Sequence, residues 1–97
     1  METKLIWDEA KQRENLRKHG LDFANARVVL DSHYRLDVLT VRGDEMRTQS
    51  FSYVLNRLAV LTVVHLDRDG AMRIISFRTA SDKESEVYYD WISKEVD

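Results

Sequence analysis

The stretch Arg57–Ala80, RLAVLTVVHLDRDGAMRIISFRTA, leaves a chain of this length few ways to fold. Leu58–Leu66 is almost continuously apolar and rich in valine, leucine and threonine, the pattern of a central strand covered on both faces. Asp67-Arg68-Asp69-Gly70 is a turn, and Met72–Thr79 returns as a second strand. The remaining segments read as scaffolding around this hairpin.

Two arginines, Arg73 and Arg78, interrupt the second strand, and an unpaired guanidinium is too costly to bury. They therefore reach an edge of the sheet or line a polar site. In a regular strand residues 73 and 78 point to opposite faces. Both serve one site only if a bulge intervenes, or if Arg78 swings round at the strand end. The turn leaves two registers open. A type I turn with a bulge at Gly70 sets His65 across from Arg73 and makes the two part of a site, whereas a plain four-residue loop pairs Val64 with Arg73.

Upstream, Lys4–Trp7 reads as a short strand and Asp8 as the N-cap of a helix Glu9–His19 closed by Gly20. That helix is polar, with Lys11, Asn15 and Lys18 on one face, while Lys18 and His19 also suit the negative end of its dipole. Asp22 caps a short helix Phe23–Leu30, with Phe23, Ala26 and Leu30 as its core stripe. His33–Val41 and Met46–Tyr53 are strands joined by the turn Arg42-Gly43-Asp44-Glu45. The second sets Arg47, Gln49, Phe51 and Tyr53 on one face and Thr48, Ser50 and Ser52 on the other. Leu55-Asn56 is a tight turn into the central hairpin. Ser81-Asp82-Lys83-Glu84 is a capping box opening a last helix, whose stripe of Val87, Tyr88, Trp91 and Ile92 should pack on the sheet. The order is β-α-α-β-β-β-β-α, an α+β fold with a mostly antiparallel sheet, in one domain spanning residues 1–97.

Charged residues make up 33% of the chain, yet the formal net charge is only −2. Broad, sequence-independent nucleic-acid binding rests on a strongly basic surface, so this balance argues against it while leaving room for a local basic groove. Without cysteine there is no disulfide framework and no thiolate metal site. His19, His33 and His65 have no metal-ligand spacing, and neither a glycine-rich phosphate loop nor a nucleophile elbow occurs, so no metal and no cofactor are expected. The longest apolar run is too short to span a bilayer and the start lacks a signal-peptide core, which points to the cytoplasm and to no membrane partner.

Two sets of residues are familiar. Trp7-Asp8, Lys11, Asn15 and Lys18-His19-Gly20, with Leu21 and Phe23, resemble the opening signature of the BrnT family of bacterial toxins. Arg73-Ile74-Ile75-Ser76-Phe77-Arg78, with Ala80, Glu84 and Tyr88, resembles its closing signature. The resemblance implies a small ribonuclease toxin of a type II toxin–antitoxin pair with a RelE/ParE-like fold. It also implies inhibition by a BrnA-like antitoxin, which dimerises, gives a heterotetramer and alone carries the DNA-binding part.

Cleaving RNA without a metal requires a proton taken from the 2′-hydroxyl, a proton given to the leaving 5′-oxygen, and stabilisation of the extra negative charge on phosphorus. Arg73 and Arg78 suit the last task, because a planar guanidinium holds two phosphate oxygens and stays charged. Arg47, Lys18 and Lys11 are candidate substrate contacts, and His65 and His19 candidate acid–base groups. Structural roles compete with these: Arg73 paired to Asp37 or Glu84, Arg78 capping carbonyls, Lys18 and His19 complementing the helix dipole. Trp7 is expected in the core, with Trp91 and Tyr89 as packing or partner-contact residues. A rival to the enzyme is an interaction module that binds the antitoxin and assists repression, favoured by the low net charge and the few general bases. Direct DNA binding ranks last, with no recognition-helix pattern behind it.

Overall fold

The computed structural model describes residues 3–95. Its five strands are β1 (Lys4–Ile6), β2 (Leu36–Arg42), β3 (Glu45–Val54), β4 (Ala59–Arg68) and β5 (Ala71–Thr79). Its helices are α1 (Glu9–His19), α2 (Arg27–Leu30) and α3 (Asp82–Glu95). One sheet runs in the order β1-β5-β4-β3-β2, antiparallel except where β1 lies parallel to β5. The α+β class and the mostly antiparallel sheet are those expected from the sequence.

Capping residues set the helix ends. Asp8 accepts the Lys11 backbone N–H at 3.0 Å, and Gly20 closes α1 at φ 68, where a side chain would be strained. Ser81 and Glu84 exchange hydrogen bonds across the first turn of α3, Ser81 N–H to Glu84 Oε1 at 2.8 Å and Glu84 N–H to Ser81 Oγ at 3.2 Å.

Both faces of β4 are covered, as its composition required. Leu61 and Val63, with Val54, Ile74 and Phe77, pack beneath Leu21, Phe23, Ala26, Val29 and Leu30. On the other face Val60 and Phe51 meet Tyr88 of α3, flanked by Trp91 and Ile92. Trp7 leans edge-on against Phe23 at 6.3 Å, a packing residue as expected. α1 is polar because it lies against the sheet edge and not on a face. Its buried Asn15 donates to the carbonyls of Leu21 (3.0 Å) and Phe77 (2.7 Å) and accepts the Phe77 N–H at 3.1 Å. The amide thus replaces the strand partner that β1, pairing only with residues 71–73, does not supply.

Three local expectations are corrected, and the tight turn expected at Leu55-Asn56 is met. The strand expected over His33–Val41 begins at Leu36, and the helix expected over Phe23–Leu30 is a 3₁₀ turn (Phe23–Asn25) followed by the single-turn α2. Leu55-Asn56 belongs to a 3₁₀ turn that ends with Leu58 in the left-handed region, at φ 54. The central hairpin turn is neither of the two anticipated. Arg68 pairs with Ala71, so the loop is Asp69-Gly70 alone, both at positive φ, which is the type I′ turn that matches strand twist.

Candidate active site

The register decides which arginines meet. From the type I′ turn, Leu66 pairs with Arg73 and His65 with Ile74. A bulge then leaves Ile75 without a partner, so that Val64 pairs with Ser76 and Thr62 with Arg78. His65 and Arg73 therefore lie on opposite faces, which corrects the expected His65–Arg73 pair. The same bulge puts Arg73 and Arg78 on one face, meeting the condition the odd spacing imposed.

That face is the one α3 covers at its far end, and at its open end it carries a pocket of about 350 Å³. Ile6, Leu66, Ala71 and Ile75 form its floor; Lys11, Arg47, Arg68 and Arg73 supply charge, with Glu45 among them. Each cation comes from a different element, α1, β3, β4 and β5. Alternation delivers them: Arg47 and Glu45 share a face of β3, as do Leu66 and Arg68 of β4. Arg47 Nε donates to Glu45 Oε1 at 2.7 Å, whereas Lys11, Arg68 and Arg73 form no ion pair among the described residues. Asp8 stands nearby, its carboxyl held below the usual range first by the Lys11 backbone N–H, with the charges of Lys11 and Arg73 adding to the effect. Four cations against Glu45 and the nearby Asp8 leave this open face net positive in a chain of net charge −2.

The other candidates from the sequence lie elsewhere. Arg78, on the same face as the pocket, is committed to α3 by two parallel hydrogen bonds to Glu84, at 2.8 and 2.9 Å. Gln49 adds a third to that carboxylate at 2.7 Å. These bonds, Arg78's first, outweigh burial and hold the Glu84 carboxyl down at about 2. Asp37, the other carboxylate considered for Arg73, is gripped by both arms of Arg35 at 2.9 Å. Lys18 is exposed beside Glu14, and His19 is exposed at the end of α1; neither lines the pocket.

His65 is fully buried in a polar chain on the opposite face. Its Nδ1 lies 2.5 Å from Asp67 Oδ1 and its Nε2 2.8 Å from Ser50 Oγ, and Ser50 donates to Asp37 Oδ1 at 2.6 Å. Burial works against the Asp37 carboxylate, but hydrogen bonds from Arg35 and Ser50 prevail and hold its pKa below the usual value.

Sequence reasoning missed Arg68 and Glu45. Arg68 reads as part of the turn Asp67–Gly70, but Asp-Gly is a preferred type I′ dipeptide, and a loop of those two residues extends the strand to include it. Glu45 likewise reads as a turn residue, but β3 begins there, and its spacing of two from Arg47 puts both on one face.

Among the described residues, no group of three or more His, Cys, Asp or Glu side chains is placed to hold a metal ion. No helix among them is long and apolar enough to cross a membrane. The family model for the ribonuclease toxin BrnT of type II toxin–antitoxin systems matches residues 7–84, from Trp7 through the pocket to Glu84. No curated protein matches the chain in sequence.

Proposed function

The chain belongs to the BrnT family of ribonuclease toxins from type II toxin–antitoxin systems, and from that premise we propose that it is an endoribonuclease that cuts RNA at the Lys11–Arg47–Arg68–Arg73 pocket without a metal ion. The carrying observation is the convergence of four cations from four elements on one open face. A guanidinium offers a planar fork to phosphate oxygens and remains charged throughout, so Arg73, Arg47 and Arg68 would bind the scissile phosphate and stabilise the negative charge gained in the transition state. Lys11, from α1, would supply a fourth contact. His65 and His19 have no part in this reading, and Arg78 serves it by fixing α3 beside the pocket.

The family implies an antitoxin partner. We take it to be BrnA-like, dimeric and the DNA-binding half of a heterotetramer, with the toxin acting on RNA in the cytoplasm from a RelE/ParE-like scaffold. A second reading, a module that only binds the antitoxin, draws support from β2. This strand is an edge of the sheet, and Leu39 and Val41 on it are each 67% exposed, features that suit an added partner strand.

Cleavage of RNA by the antitoxin-free protein in EDTA, beside a folded Arg73→Ala variant, separates the two. The enzyme reading expects cleavage by the parent and a fall of about tenfold or more in the variant, since one donor aimed at developing charge is commonly worth that or more. A folded parent that leaves RNA intact would transfer the assignment to the binding module.

A further inference from the structure

The pocket is rich in donors and poor in acceptors. Guanidinium and ammonium groups carry no lone pair to receive a proton, so none of Lys11, Arg47, Arg68 and Arg73 can deprotonate a ribose hydroxyl while charged. Both histidines considered for acid–base work lie outside the pocket lining, and His65 is sealed on the opposite face. Asp8 is near but does not line the pocket, and its carboxylate caps α1 through the Lys11 backbone N–H. Glu45 is the one acidic side chain in the lining. Its Oε1 is fixed by Arg47 at 2.7 Å, and its Oε2 makes no hydrogen bond among the described residues. The backbone beneath it is pinned at the mouth of the β2–β3 hairpin, where Glu45 pairs with Arg42.

Building on the ribonuclease reading, we propose that Glu45 is the general base of the reaction. Its free Oε2 takes the proton from the 2′-hydroxyl as the 2′-oxygen attacks the adjacent phosphorus. A 2′-O–P bond forms, the P–O5′ bond breaks, and the leaving 5′-oxygen receives a proton from the Lys11 ammonium. The products are a 2′,3′-cyclic phosphate and a 5′-hydroxyl end, and solvent returns the proton from Glu45 to Lys11. Arg47 positions the carboxylate through Oε1 while its remaining N–H groups stay available to phosphate, which ties base and anion site into one preorganised unit.

Glu45→Gln preserves the shape and can still accept from Arg47, but cannot take up the proton. With a single-stranded RNA oligonucleotide as substrate, its cleavage rate is expected to fall about 100-fold or more. Binding of the uncleavable all-2′-deoxy oligonucleotide of the same sequence should hold or tighten, because one negative charge leaves the pocket. Arg73→Ala, in contrast, should weaken binding and cleavage together. Glu45→Asp restores a carboxylate one methylene short and should regain part of the rate. A Gln variant that cleaves like the parent, or Gln and Asp variants of equal rate, would overturn the assignment while leaving the ribonuclease reading intact. A parent that does not cleave would refute that reading, and Glu45's role with it.

Discussion

Replacing Glu84 by glutamine removes the charge on which four donors converge: both arms of Arg78, the Gln49 amide and the Ser81 backbone N–H. In the folded protein this carboxyl stands at about 2 against an ordinary 4.5. A lowered folded value means that the ionised form stabilises the fold above 4.5, and that this stability is lost as pH falls from 4.5 through about 2. At about 1.4 kcal/mol for each unit the span corresponds to about 3 kcal/mol. The Arg78 and Glu84 side chains retain 31% and 24% of their accessibility, so solvent screening reduces the net effect to about 1–2 kcal/mol. Urea denaturation of parent and Glu84→Gln across that acid range tests the argument. The parent should be the more stable at neutral pH by that amount, and the two curves should converge as pH approaches about 2. Asp37 and the other lowered carboxylates titrate in both proteins and cancel from the difference. Two stability curves that stay parallel through the acid range would refute the reasoning.

Asn15→Ala leaves a buried strand N–H and two backbone carbonyls without partners, and should destabilise the fold by about 2–3 kcal/mol in chemical denaturation; a loss near zero would mean that water replaces the amide. Leu58→Gly should act in the other direction. The leucine is 75% exposed and holds φ 54, so little packing is lost and left-handed strain is relieved, with a net gain of up to about 1 kcal/mol readable as a raised Tm. A lowered Tm there would show that Leu58 packs against something its exposure does not reveal.

Much of the frame was legible because its signals are local. Asp8, Gly20 and the Ser81–Glu84 box mark helix ends through hydrogen bonds within a turn, and all three appear as read. The faces of β3 followed from alternation alone. The site was only partly legible because it depends on register, which sequence patterns constrain weakly in a strand covered on both sides. Lys11 and Arg47 reach the pocket with Arg73, but Lys18 stops short of it along α1, and His65 turns away. Asn15 shows a further limit. Its spacing put it on one stripe with two lysines, and only the short β1, ending at Ile6, reveals that an amide is needed to complete the edge of β5.

The bulge at Ile75 is what allows this strand to be both core and site. Ile74 and Phe77 must both enter the apolar layer under α2, yet they are three residues apart, an odd spacing that a regular strand sends to opposite faces. Continued without the bulge, the register of the turn would set Arg78 opposite Leu61 and Ser76 opposite Val63, driving a guanidinium into the core and Phe77 out of it. An unpaired buried charge costs several kcal/mol and Phe77 would give up its place in the core, so the straight strand loses to the bulged one. The extra residue is therefore required by the spacing of Arg73, Ile74, Phe77 and Arg78. Core packing and the cationic pocket are two consequences of a single break in alternation.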